Sequence, residues 1–83
     1  MFIWSEQARG DLRKIDRENA VQILHALTRW GETGVGDVKH LKGSLLGRRR
    51  LRVGDYRIRF EPRKDGRILI ISVEHRKQAY RDE

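Results

Sequence analysis

Between Arg48 and Phe60 the chain follows a period of two. Arg48, Arg50 and Arg52 fall on one side of a pleat and Arg49, Leu51 and Val53 on the other. Successive strand residues face opposite ways, so this pattern describes a strand and cannot be held by a helix. Gly54-Asp55 supplies a turn, after which Tyr56, Ile58 and Phe60 alternate with Arg57 and Arg59. A second turn around Lys64-Asp65-Gly66 leads into Ile68-Leu69-Ile70-Ile71-Ser72-Val73, apolar on both faces as a central strand beneath a helical layer would be. Three strands on tight turns make an antiparallel meander.

The preceding half reads as helical. Phe2-Ile3-Trp4 is a short β-prone run, and Ser5 is suited to cap a helix whose apolar positions are Ala8, Leu12 and Ile15. Asp16 is placed to cap a second helix with Ala20, Ile23, Leu24, Leu27 and Trp30 on its stripe, ending at Gly31. The glycine-punctuated stretch from Glu32 to Gly47 reads as loop, pinned by Val35, Val38, Leu41 and Leu45. The expected fold class is α+β, in the order β-α-α-β-β-β: a small antiparallel sheet with a two-helix hairpin packed on one face. Trp4, Trp30, Tyr56 and Phe60 are assigned to the core, and His25 and His40 to structural positions.

At 83 residues the chain has room for one domain, residues 1–83, and one core. With no cysteine there is no disulfide frame and no thiolate metal site. The apolar run Ile68–Ile71 is far too short to span a bilayer, and no secretory leader is apparent, so a cytoplasmic protein without membrane contact is expected. His25, His40 and His75 lack ligand spacing and the acidic residues do not cluster, so neither metal nor cofactor is expected.

The net charge of +7 is concentrated. Lys39 to Lys64 holds ten basic residues against two acidic ones, whereas the other 57 residues hold nine basic and ten acidic. On the meander, Arg48, Arg50, Arg52, Arg57 and Arg59 share one face, with neighbours about 5 to 8 Å apart. No counter-ion for that face is evident in the sequence, so the neutralising partner is expected from outside: a phosphodiester chain, which guanidinium groups grip in bidentate fashion. Lys39, Lys42, Arg52 and Arg59 are the candidate RNA-binding residues.

Leu41-Lys42-Gly43, the run Arg50-Leu51-Arg52-Val53-Gly54-Asp55-Tyr56-Arg57-Ile58 and the run His75-Arg76-Lys77-Gln78-Ala79-Tyr80, together with Trp4, Ala8, Leu12 and Ile15, resemble the RelE/ParE toxin superfamily of type II toxin–antitoxin systems. The resemblance, closest to the RelE branch, implies a ribosome-dependent endoribonuclease that cuts messenger RNA and is silenced by an antitoxin, as a toxin–antitoxin hetero-oligomer. It implies that Arg48 and Arg50 lie near the attacking 2′-hydroxyl, that Arg57 and Arg76 contact the scissile phosphate, and that Tyr80 stacks on a base or assists proton transfer. Members of that branch often carry lysine where this chain has Arg48 and Arg50. Lysine can act as a base and arginine effectively cannot, so proton transfer is assigned to His75 with Tyr80, or to a ribosomal group. Two other functions fit the same charge: a ParE-like inhibitor of DNA gyrase without nuclease activity, and a non-catalytic RNA-binding protein held by its basic face alone.

Overall fold

The computed structural model describes residues 1–43 and 47–79. Its elements run β1 (Phe2–Trp4), α1 (Glu6–Arg13), α2 (Arg17–Thr33), β2 (Val38–His40), β3 (Arg49–Val53), β4 (Tyr56–Pro62), β5 (Ile68–His75) and α3 (Arg76–Ala79). The strands form one sheet in the order β1-β5-β4-β3-β2. The meander, both turns and the two-helix layer are as the sequence suggests.

A short helix, α3, follows the last strand where none was expected, and two features of the sheet differ. The loop expected between Glu32 and Gly47 contains β2, which pairs antiparallel with β3 through Val38 and Leu51. And the sheet is mixed rather than antiparallel, because β1 lies parallel to β5 with Phe2 opposite Ile68. The two differences are linked. If the chain reverses at each connection, adding β2 makes the number of reversals between β1 and β5 even, so they run the same way; without it they would run opposite.

Ser5 caps α1 as expected: its Oγ accepts the Ala8 N–H at 3.0 Å. Asp16 caps α2 by accepting the Asn19 N–H and the Asn19 amide, at 3.2 and 2.8 Å. The second helix does not stop at Gly31. It continues to Thr33 and closes at Gly34, whose φ of 74° supplies the left-handed cap and whose N–H reaches the Trp30 carbonyl. Gly31 serves packing instead: a Cβ there would sit 3.2 Å from the Phe2 ring, so its absence lets β1 lie close against α2. Ala8, Ile23 and Leu27 from the helices meet Leu51, Ile58, Phe60, Ile68, Ile70 and Val73 from the sheet in one core. Trp30 edges onto Phe60 with centroids 4.7 Å apart. Leu45, expected to pin the loop, lies outside the described residues.

The pairing of β4 with β5 contains a β-bulge. Arg59 is opposite Ser72, but the next residue, Phe60, is opposite Ile70, so Ile71 is the extra residue. The segment around α1 holds it. Ser5 donates its backbone N–H to the Ile70 carbonyl at 3.0 Å and its hydroxyl to the Ile71 carbonyl at 2.8 Å. Past the end of β1, the Asp11 carboxylate accepts the Val73 N–H at 2.9 Å, taking the place of a strand that is not there.

Asp11→Ala leaves that N–H without its partner beside the core and should destabilise the fold by about 1–3 kcal/mol; Ser5→Ala should cost about 1–2 kcal/mol. Urea unfolding checks both, and unchanged midpoints would show that the bulge holds itself. The Asp16 carboxyl is held below its ordinary value, chiefly by the Asn19 side-chain amide. A depressed folded-state value contributes stability above the ordinary carboxylate pKa, lost as pH falls through the folded one. Asp16→Ala should therefore melt below the parent at neutral pH, with the gap closing under strong acid.

Candidate nucleic-acid interface

The pleat carries the arginines to the side of the sheet away from α1 and α2. Leu51 is paired with Ile58 in the core, so the alternating pairs Arg50–Arg59 and Arg52–Arg57 face the other way. Lys39 of β2 is opposite Arg50 and Ser72 of β5 opposite Arg59, giving a row Lys39–Arg50–Arg59–Ser72 across four strands. Beside it runs Arg52–Arg57–Glu74. Arg48, immediately before β3, extends the patch toward Glu61. Arg49 points to the helices, its guanidinium 5.9 Å from the centre of the Trp30 ring.

The expectation that the face has no counter-ion of its own is wrong. Glu61 bridges two arginines, with Oε1 3.5 Å from Arg48 and Oε2 3.5 Å from Arg63. Glu74 stands 3.2 Å from Arg59 and accepts the Ser72 hydroxyl at 2.9 Å. Glu61 was legible, since it continues the Arg57, Arg59 alternation. Glu74 was not: simple alternation from Ile68 and Ile70 puts it on the core face, and only the bulge turns it over. Among the described residues, these two carboxylates stand against Lys39, Arg48, Arg50, Arg52, Arg57 and Arg59 on that face.

The remaining candidates fall in different places. Arg57 is 2% exposed, and its Nη1 donates to the Gly54 and Tyr56 carbonyls at 2.9 and 3.0 Å. It braces the β3–β4 turn instead of standing at the surface. Arg76 reaches the same turn, donating its backbone N–H to the Asp55 carbonyl at 2.7 Å, with its guanidinium 3.8 Å from the Asp55 carboxylate. Arg52 and Lys39 are exposed on the face; Lys42 is exposed in the turn after β2, beyond the rows. His75 pairs with Tyr56 and sets its ring edge-on to the tyrosine at 5.5 Å. Tyr56 belongs with the residues packed on the core, so the sheet separates His75 from the arginines. Tyr80 lies outside the described residues. Among the described residues, no three His, Asp or Glu side chains gather where they could hold a metal ion, and no helix is long and apolar enough to cross a membrane.

A family model for the ParE toxin of type II toxin–antitoxin systems, parDE, matches residues 2–80. The chain belongs to that family. Solved toxin structures share its fold. The RelB–RelE antitoxin–toxin complex from Methanococcus jannaschii contains a chain similar at 24% identity and a TM-score of 0.78, over 96% of both chains. A chain of the RelBE2 complex from Mycobacterium tuberculosis is similar at 25% identity and 0.64, over 90% of this chain and 95% of that one. The isolated E. coli RelE toxin is similar at 16% identity and 0.75, over 99% and 96%. No curated protein is similar enough in sequence to count as a relative. The protein is thus a type II toxin, and the arginine face is the most distinctive surface of its sheet.

Arg57→Ala should remove the donor from two turn carbonyls and destabilise the toxin by about 1–3 kcal/mol. Arg52→Ala, at an exposed position, should change stability by less than about 0.5 kcal/mol yet weaken single-stranded RNA binding and flatten its salt dependence. Thermal melts with salt-titrated binding separate the two roles; equal destabilisation by both changes would refute the division.

Proposed function

We propose that this toxin cleaves messenger RNA on the ribosome. The observation that supports this reading is the guanidinium face itself, lying on the side of the sheet that α1 and α2 leave uncovered. A phosphodiester seated over Arg50 and Arg59, with Arg48 beside it, meets fixed positive charge where the attacked phosphate becomes more negative. The ribose 2′-oxygen attacks the adjacent phosphorus and the bond to the 5′-oxygen breaks, leaving a cyclic phosphate and a 5′-hydroxyl. The buried Arg57 adds to the field without touching RNA, and Arg76 approaches from the turn. Tyr80 keeps the base-stacking role implied by the family resemblance. The ribosome would hold the message in an extended, single-stranded form and places the activity in the cytoplasm.

The partner that silences such a face is a cognate antitoxin presenting an acidic, helical segment, as a toxin–antitoxin hetero-oligomer. The RelB–RelE and RelBE2 structures similar to this chain are themselves antitoxin–toxin complexes. A second reading is favoured by the family match: a ParE-like toxin that inhibits DNA gyrase and leaves RNA intact.

Primer extension on a translated message after expression of the toxin, with gyrase supercoiling assayed in parallel, separates the two. Cleavage within the message is expected, falling about 100-fold or more for Arg50→Ala and Arg59→Ala, with supercoiling unaffected. Intact message with blocked supercoiling would establish the gyrase reading instead.

A further inference from the structure

Arginine in place of lysine on β3 leaves the proposed cleavage without a base from that strand, since guanidinium groups keep their protons at accessible pH. His75 stands on the other side of the sheet, against Tyr56. Among the described residues, the carboxylates on the arginine face are Glu61 and Glu74. Both oxygens of Glu61 are engaged, one by Arg48 and one by Arg63, and its side chain is only 10% exposed. Glu74 is twice as open, at 20%, and its contacts with Arg59 and Ser72 both fall on Oε1. These two contacts hold the carboxylate in one orientation, one strand away from Arg57 and diagonal to the Arg50–Arg59 pair.

Resting on the RNA-cleaving reading above, we propose that Glu74 is the catalytic base that takes the proton from the 2′-hydroxyl. A phosphate on Arg59 lies next to Glu74, so the ribose that precedes it brings its hydroxyl to the carboxylate. As the 2′-oxygen bonds to phosphorus its proton passes to Glu74. The phosphorus–O5′ bond breaks and the 5′-oxygen leaves with a proton from water. Glu74 then returns its proton to solvent, and a cyclic phosphate and a 5′-hydroxyl remain. Arg59 has two roles, holding the phosphate and orienting the base. Among the described residues, the charged groups around Glu74 are Arg57 and Arg59 on β4 and, past the end of β5, Arg76 with Asp55. The three arginines keep their charge across the working pH range.

The test is single-turnover cleavage of a ribosome-bound message by the full chain across pH, with RNA binding and thermal melting measured on the same preparations. The parent rate should fall toward acid pH as a carboxylate titrates. Glu74→Gln keeps the hydrogen-bond acceptor for Arg59 and Ser72, so melting and binding should persist while cleavage drops about 100-fold or more and the acid limb disappears. Glu74→Asp keeps a carboxylate one methylene shorter and should cut about tenfold or more slowly with the acid limb retained; it decides the matter if the glutamine variant folds poorly. Cleavage by either variant at the parent rate with the parent pH profile overturns the assignment. An inactive parent on ribosome-bound message overturns the RNA-cleaving reading itself, and this base with it.

Discussion

Ser5 and Asp11 hold an irregular point of the sheet, and the make-up of the arginine face depends on it. Ser5 caps α1 and at the same time hydrogen-bonds to two successive carbonyls of β5, those of Ile70 and Ile71. Asp11, six residues further along the same segment, accepts the Val73 N–H. Between these anchors β5 carries its extra residue, and the pleat changes phase. Before the bulge Ile68 and Ile70 point to the core; after it Val73 does. The phase change presents Ser72 and Glu74 to the arginines and sends His75 to the side of Tyr56. A helix cap thereby determines which ionisable groups share a surface.

That surface is basic but internally ordered. Unscreened guanidinium groups on adjacent strands would repel one another, and Glu61 and Glu74 relieve the repulsion at two points. Each ion pair with an exposed arginine is worth little by itself in solvent. Their effect here is positional: they hold long, flexible side chains over the sheet, which on the proposed reading reduces the freedom lost when RNA binds. Arg57 goes further, turning inward to the carbonyls of Gly54 and Tyr56 and becoming part of the scaffold. The face is thus part scaffold and, on the proposed reading, part binding surface, a division that residue type alone does not reveal.

The meander and its turns were legible because a period of two and well-placed Gly and Asp residues act over a few neighbours. The caps at Ser5 and Asp16 were legible for the same reason. The end of α2 was misjudged at Gly31 because glycine can mark either a helix stop or a close approach, and the Phe2 ring that makes it the latter belongs to a distant strand. The strand β2 was missed because three residues, Val38–His40, carry too short a pattern among glycines. Its omission also hid the parallel sense of β1.

Local order alone determined that this chain makes two capped helices and an arginine-striped meander, and that the stripe faces away from the apolar side chains. Side-chain alternation and capping need no information from far along the chain. That Glu74 joins Glu61 against that stripe, which arginine is buried and on which side His75 lies were decided only by tertiary structure. The sides taken by Glu74 and His75 depend on the phase of β5, which is held by hydrogen bonds from residues more than sixty positions away; Arg57 is buried against carbonyls of the β3–β4 turn.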